Sequence, residues 1–539
     1  MSDKIRIVLA QLNLKVGDIA GNLQKHIDAA NTARDKLHAD IIVFPELSLT
    51  GYPPEDLLLR KAFIDEASAA LKKLKSEIKD IYYLVGHPFA HHQHLYNSCS
   101  LLHNGKLLAR YSKQKLPNYG VFDERRYFTE ENESRVVSIK GVKVGLVICE
   151  DLWKLGPTHD AAARGAKIIL SPNASPFEID KHEQRLSVLS KRAKHDNIAI
   201  VYVNHVSGQD ELIFDGGSMV VDGNGDLKQC AGFFNETLMP VDIELKKSPT
   251  IVSSEIHIPS KMERIYQALV LSVRDYVQKN NFKCVMIGVS GGIDSALTLA
   301  IAVDALGKEN VHAVIMPSRF TSEISMEEAK QVVKNSGVSS EIISIEPAYQ
   351  SFLDSLQSSF ENKKPDVTEE NIQARVRAVI LMALSNKFGK LVLTTGNRSE
   401  YAVGYCTLYG DMAGAFAVLK DVPKTMVYEL AKYRNEKNMV IPERTISRAP
   451  TAELAKDQKD EDTLPPYSVL DKILECYLDQ SMSIDEIVAK GFTRELVVKI
   501  INMVQKSEYK RKQSAMGPHI HHKSFGRDWR YPVTNGFKG

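Results

Sequence analysis

Strand and helix lengths alternate along this chain, and the alternation predicts an α/β protein with two domains. Three observations carry that prediction. The 539 residues exceed what one hydrophobic core organises. In the first half, apolar runs of strand length are often separated by helical lengths, which predicts a layered α/β domain. In the second half the rhythm is βαβαβ, which predicts a doubly wound parallel sheet. Periodicity fades and prolines appear between Lys246 and Ser260. The expected division is therefore a domain over 1–245, a linker over 246–260 and a second domain over 261–539.

In the first half, strands are expected at Ile5–Gln11, Asp40–Phe44, Ile81–Gly86 and Ser98–His103, then at Val142–Cys149, Ala166–Ser171, Ile198–Asn204 and Ser218–Asp222. Asn22–Leu37 has the spacing of an amphipathic helix. In the second half a helix over Met262–Lys279 leads into a buried strand, Val285–Val289. The loop Ser290-Gly291-Gly292-Ile293-Asp294-Ser295 follows, and then an apolar helix, Ala296–Leu306. Strands at Val311–Met316, Glu341–Ile345 and Leu391–Thr395 alternate with helices over Met326–Ser336 and Asn371–Phe388.

Composition is that of an ordinary soluble globular chain. The net charge of +2 implies no bulk attraction to nucleic acid or an anionic membrane. The six cysteines lack metal or disulfide spacing, which suits a reducing cytoplasm. The start of the chain, Lys4-Ile5-Arg6-Ile7, alternates like a strand and not like a signal peptide, and no membrane span is expected.

The strand, glycine turn and helix start at 285–306 form an anion cradle. Glycine lets backbone N–H groups approach a phosphate, and a helix N-terminus favours negative charge. The order Ser-Gly-Gly-x-Asp-Ser is not that of a Walker loop. It resembles the pyrophosphate loop of ATP pyrophosphatases, which cleave ATP to AMP and pyrophosphate.

In the first half Glu46 follows a strand, Lys113 lies in Tyr111-Ser112-Lys113-Gln114-Lys115-Leu116, and Cys149 opens Cys149-Glu150-Asp151-Leu152-Trp153. A thiol attacks as thiolate, a carboxylate can take its proton, and an ammonium can stabilise the thiolate and a developing oxyanion. The set resembles the Glu–Lys–Cys triad of the nitrilase superfamily, whose domains are α-β-β-α sandwiches. The family's lysine stands three residues before a leucine, which selects Lys113 over Lys115, and Glu124 is the candidate second glutamate.

Leu116 to Glu124 and Ser171 to Phe177 resemble segments of the glutaminase domain of glutamine-dependent NAD synthetases. The resemblance implies that Tyr119, Ser175 and Lys181 hold the amino-acid end of L-glutamine. It extends over nearly the whole chain through Glu370 to Arg375, Thr395 to Glu400, Tyr409 to Asp411, Ala449 to Leu454, Asp460 to Tyr467, Lys510 to Lys512 and Phe525 to Asp528. Read through that family, the second domain is a sheet like that of adenine nucleotide alpha hydrolases. Gly288, Val289, Ser290, Gly291, Gly292, Ile293, Asp294, Ser295 and Thr395 would bind ATP. Asn371, Glu400 and Lys510 would bind deamido-NAD, and Asp294 and Glu400 would bind Mg2+, a hard cation suited to oxygen ligands. A homo-oligomer and a protected passage for ammonia are implied by the family alone. The stretch His519-Ile520-His521-His522 is rich enough in histidine to bind metal, but a solvated loop is the expectation, with no cysteine or carboxylate expected to complete a site.

The implied reaction is ATP-dependent amidation of deamido-NAD with nitrogen from glutamine. The alternatives are an amidotransferase of the same ATP-cleaving type that makes another amide, a non-catalytic dinucleotide sensor, and a nucleic-acid-modifying enzyme. The last lacks a basic stripe and metal-type cysteines.

Overall fold

The computed structural model describes residues 4–245, 249–361, 363–455, 458 and 460–537. It divides into two compact units, Met1–Ser260 and Lys261–Gly539. Lys246, Lys247 and Ser248 of the expected linker lie outside the described residues.

The first unit is built on two facing sheets. One has seven strands in the order Thr250–Ile251, Thr237–Glu244, Lys4–Gln11, Ile41–Val43, Tyr82–His91, His94–His103, Lys106–Ser112. The other has six, in the order Leu227–Cys230, Met219–Val221, Ala199–Val203, Ile168–Pro172, Val142–Leu146, Arg135–Ile139. Strand alternation explains the layering. Ile5, Ile7 and Leu9 face the other sheet, where Val144, Leu146, Leu170 and Val201 meet them. Val8 and Ala10, on the opposite face, pack with Ala29, Ala30 and Ala33 of helix Ile19–Asp35 and Leu74 of helix Lys61–Glu77. On the far side, Ile169 and Ile200 pack with Leu189 and Ala193 of helix Lys181–Asp196. The result is the α-β-β-α sandwich.

Two boundaries differ from expectation for local reasons. The helix expected from Asn22 starts at Ile19, because the Asp18 carboxylate accepts the Gly21 N–H at 2.9 Å and caps it. The strand expected to reach Cys149 ends at Leu146, yet Val147 and Cys149 still donate backbone N–H groups to Leu170 and Pro172 at 3.3 and 3.1 Å. The strand Thr237–Glu244 was not expected, since Pro240 argues against a strand interior. It is tolerated because Thr250–Ile251 pairs only with Ile243 and Glu244, which leaves Pro240 on a local edge.

The second unit holds a five-stranded, wholly parallel sheet in the order Ser339–Ile342, Val311–Ile315, Val285–Gly288, Leu391–Thr394, Phe416–Ala417. The first strand in sequence is central, and the chain winds outward from it on both sides. This is the doubly wound pattern, and its switch point lies at Val285–Gly288. On one face Met286 and Val314 pack with Tyr349 of helix Glu346–Leu356 and with Ile372 and Val376 of helix Val367–Phe388. On the other side, helices Lys261–Lys279, Ile293–Leu306 and Lys424–Lys437 pack together. A helical cluster around Leu470, Ile473, Ile500 and Trp529 completes the unit. Among the described residues, no helix is long and apolar enough to cross a membrane.

Candidate active sites

Glu46, Lys113 and Glu124 form one buried cluster in the first unit. Lys113 Nζ lies 2.7 Å from Glu46 Oε1, and 2.8 and 3.0 Å from the two Glu124 oxygens. Glu46 is fixed further by the Asn97 amide at 2.7 Å and the Ala174 N–H at 3.0 Å. Tyr52 donates its hydroxyl to Glu124 at 2.8 Å. Burial alone would lower the Lys113 ammonium, but Glu124 and Glu46 outweigh it and hold it above its ordinary range. Burial, with the like charge of Glu46, pushes the Glu124 carboxyl up to about 7 against the pull of Lys113.

Cys149 sits at a strained corner. Its φ of 45° and ψ of −95° are rare for a residue with a side chain. The thiol's proton affinity feels both Glu46 and Lys113. Burial pushes that thiol up, Glu46 pushes it further, and Lys113 pulls it down. Such an arrangement can pass a thiol proton to a carboxylate and leave a thiolate able to attack an acyl carbon.

Asp151 fixes the corner and was missed in the sequence. Its buried carboxylate accepts the N–H groups of Ile148, Gln114 and Lys115 and the Tyr111 hydroxyl, at 3.0, 3.1, 2.9 and 2.7 Å. It ties the Cys149 corner to the segment that carries Lys113. Lys115 enters this lattice through its backbone, whereas Lys113 enters the carboxylate cluster through its side chain.

Two of the three residues expected around glutamine, Tyr119 and Lys181, lean on the same corner. Tyr119 donates to Glu150 Oε2 at 2.9 Å. The Lys181 ammonium stands 5.1 Å from the centre of the Trp153 ring and 3.4 Å from Glu178. Ser175 is buried next to Ala174, and its hydroxyl accepts from Arg185 at 3.0 Å. Arg185, wholly buried and paired with Asp215 at 2.7 Å, carries the Ser175 segment and gave no signal in the sequence.

In the second unit the glycine loop leaves the central strand at the switch point. Gly291 has φ of 89°, and a Cβ there would lie 2.2 Å from the Ser325 carbonyl oxygen, so only glycine fits. Ser290 and Ser295 lock the turn. The Ser290 N–H donates to Ser295 Oγ at 3.2 Å, and Ser295 Oγ donates to the Gly292 carbonyl at 2.9 Å. The helix starts at Ile293, earlier than the expected Ala296, so Asp294 and Ser295 belong to its first turn. Gly288 ends the strand behind the loop, one residue short of the expected Val289, and Thr395 is half-buried just beyond the adjacent strand Leu391–Thr394.

Asp294 and Glu400 share one cation. Lys424 pairs with Asp294 Oδ2 and lies 3.6 Å from Glu400 Oε1. Asn397 donates its amide to Asp294 Oδ1 at 3.0 Å and caps the helix that carries Glu400. Burial, reinforced by Asp294, pushes the Glu400 carboxyl up to about 8, while Lys424 opposes both. Two confined carboxylates with one ammonium between them fit a hard divalent cation. Lys424 was not foreseen.

Asn371 and Lys510 converge elsewhere, on the turn after that helix. Asn371 Oδ1 accepts the Thr407 hydroxyl at 2.7 Å, and Lys510 Nζ donates to the carbonyls of Gly404 and Cys406 at 2.8 and 2.7 Å. The structure thus groups Glu400 with Asp294 and groups Asn371 with Lys510.

The histidine stretch is not a solvated loop. His519 is buried and pairs with Asp528 at 3.0 Å, while His521 lies 3.3 Å from Asp421, which also accepts the N–H groups of Ile520 and His521 at 2.8 Å. The expectation failed because Asp421 is remote in sequence. The two imidazoles engage different carboxylates.

Comparison with known proteins matches residues 6–249 to the carbon-nitrogen hydrolase family and residues 265–514 to the NAD synthase family. The glutamine-dependent NAD(+) synthetase of Xanthomonas campestris pv. campestris is 48% identical, over 99% of this chain and 98% of that protein. The protein of the same name from Thermotoga maritima is 44% identical over 99% of each. Among solved structures, glutamine-dependent NAD+ synthetase from Acinetobacter baumannii, in complex with ADP, is 45% identical and superposes with a TM-score of 0.81 over 99% of both chains.

Proposed function

The chain belongs to the glutamine-dependent NAD(+) synthetase family, and from that premise we propose which residues perform its two half-reactions. The enzyme amidates deamido-NAD to NAD, with ATP as co-substrate and L-glutamine as nitrogen donor. The observation that carries the assignment is the buried Glu46–Lys113 contact, 2.7 Å long, beside the strained Cys149 corner.

At the first centre Tyr119, Ser175 and Lys181 hold the amino-acid end of glutamine. Glu46 takes the thiol proton as Cys149 Sγ attacks the side-chain amide carbon. Lys113 stabilises the oxyanion. Ammonia leaves with the proton that Glu46 returns, and a thioester remains. Water, deprotonated by Glu46, cleaves the thioester to glutamate and restores the thiol. Glu124, bonded to the same ammonium, keeps Lys113 in place.

At the second centre the nicotinate carboxylate of deamido-NAD attacks the α-phosphorus of ATP and pyrophosphate leaves. The loop from Gly288 to Ser295 supplies N–H groups and a helix N-terminus for the departing charge, and Thr395 borders the nucleotide. Asn371, Glu400 and Lys510 position deamido-NAD. Ammonia then attacks the acyl carbon of the adenylate and AMP leaves. Mg2+, held by Asp294 and Glu400, would supply charge neutralisation at the phosphates. Positioning and electrostatics do most of the work.

A homo-oligomer is proposed on the family resemblance, and Val379 and Met382, exposed one turn apart on helix Val367–Phe388, offer it apolar surface. Sedimentation of the intact protein as a monomer at working concentration would remove that part. None of the six cysteines is disulfide-bonded, which supports a cytoplasmic setting, and secretion of the active enzyme would contradict it. The reaction itself is tested by incubating the full chain with deamido-NAD, ATP and glutamine. NAD, AMP, pyrophosphate and glutamate in equal amounts are expected. Formation of ADP, or deamido-NAD left unchanged, would overturn the reading.

A further inference from the structure

His159, His195 and Asp196 converge on the first unit's outer helical layer and take no part in either reaction described above. His159 lies in helix Pro157–Ala163, and His195 and Asp196 are the last two residues of helix Lys181–Asp196. The Nδ1 atoms of the two imidazoles lie 2.8 and 2.9 Å from one oxygen, Asp196 Oδ1. One donor atom from each of the three residues can be chosen with all of them within 4.8 Å of one another. The rings meet edge to face at 5.6 Å.

The electrostatics of this group are unbalanced. The Asp196 side chain is only 4% exposed. Among the described residues no lysine or arginine pairs with it, and its ion-pair partners are two imidazoles that are cations only when protonated. The carboxylate also stands at the C-terminus of a 16-residue helix, where the backbone carbonyls add partial negative charge. A shielded anion at a negative helix end, faced by two nitrogen donors, is a setting that a divalent cation completes. The imidazole side chains themselves are 59% and 57% exposed, so the ion has a path from solvent.

We propose that His159, His195 and Asp196 bind one divalent transition-metal ion of the Zn2+ class. Two imidazole nitrogens and one carboxylate oxygen suit borderline ions and not Mg2+ or Ca2+, which prefer all-oxygen sites. On binding, each neutral imidazole carries its proton on Nε2 and offers the Nδ1 lone pair to the ion in place of the hydrogen bond to Asp196. Three protein ligands leave at least one position for water. The ion staples helix Pro157–Ala163 to the end of helix Lys181–Asp196. That second helix already grips the nucleophile corner, because Arg192 donates to the carbonyls of Leu152 and Trp153 at 2.9 and 3.1 Å. Occupancy therefore stiffens the layer behind Cys149 without entering the chemistry.

The test uses the full-length protein, stripped with a chelator and titrated with Co2+ in the presence of excess Mg2+. Wild type is expected to bind one more equivalent than His159→Ala/His195→Ala. That equivalent should show the weak visible bands of nitrogen and oxygen ligation, without the intense near-ultraviolet band of a cobalt–thiolate. Zn2+ should raise the unfolding midpoint of wild type and not that of the double variant. The milder His159→Gln should weaken Co2+ binding at least tenfold while keeping glutamine-dependent synthesis. Equal stoichiometry in wild type and both variants, or Co2+ bound only through thiolate, would overturn the proposal.

Discussion

Lys113 holds two carboxyl partners in a place where water cannot screen them. Its side chain and that of Glu46 are essentially unexposed, and the Glu124 side chain is nearly so. Removing one member of such a set leaves uncompensated buried charge, at a cost of about 3–5 kcal/mol. Lys113→Ala is therefore expected to lose glutaminase activity and to unfold at clearly lower urea. Lys115→Ala should change both little, since Asp151 accepts the Lys115 backbone N–H. Parallel urea melts and glutamate release decide it, and the reverse order would mean that Lys115 is the working cation. Glu400 makes a second prediction at this scale. Its carboxyl is pushed up to about 8 from an ordinary 4.5, so the folded state holds a proton that the unfolded chain releases. The resulting stability is complete below about pH 4.5 and is lost as pH rises through about 8. In chelator, wild type should lose stability across that window more steeply than Glu400→Gln, and equal slopes would count against the burial of this group. Some slope will remain in the variant, because burial also raises Asp411, Asp460 and Asp471. Glu46, Lys113 and Cys149 were legible in the sequence because each stands in its own characteristic string. Asp151, Arg185 and Lys424 were not, since nothing local distinguishes a carboxylate or cation whose partners are distant in sequence.

Among the elements, the glycine loop at the switch point tolerates little change. Gly291→Ala combines a positive φ with a Cβ that would lie 2.2 Å from the Ser325 carbonyl oxygen. Strain of about 1–3 kcal/mol follows from the backbone alone, and the loop must shift to relieve the contact. Synthesis of NAD from added ammonia should fall at least tenfold, about 1.4 kcal/mol in transition-state stabilisation. Steady-state kinetics with varied ATP would show it, and unchanged kcat/KM for ATP would mean that the loop does not hold the phosphates. This strand, loop and helix could be read directly from the residues, because the glycines, the apolar run before them and the helix after them are adjacent. Edge elements were harder. Thr237–Glu244 hides behind Pro240, and Ser339–Ile342, displaced from the expected Glu341–Ile345, is an edge strand with little apolar signal. The histidine stretch was misread because its charge partners, Asp421 and Asp528, come from other segments.

At the scale of the whole molecule, two unlike centres share one polypeptide. One unit carries a buried thiol with a carboxylate and an ammonium, and the other a glycine loop at the switch point with a carboxylate pair. Neither set alone makes NAD from glutamine. Tethering two centres on one chain raises the local concentration of whatever one releases for the other. The two-part organisation was visible in the change of rhythm along the chain, whereas the exact sheet orders depend on pairings far apart in sequence. The most direct test of two cooperating centres is NAD formation by full-length Cys149→Ala with either nitrogen source. The expected result is no NAD from glutamine and near wild-type NAD from added ammonium. Loss of both activities with the fold intact, or NAD still formed from glutamine, would contradict it.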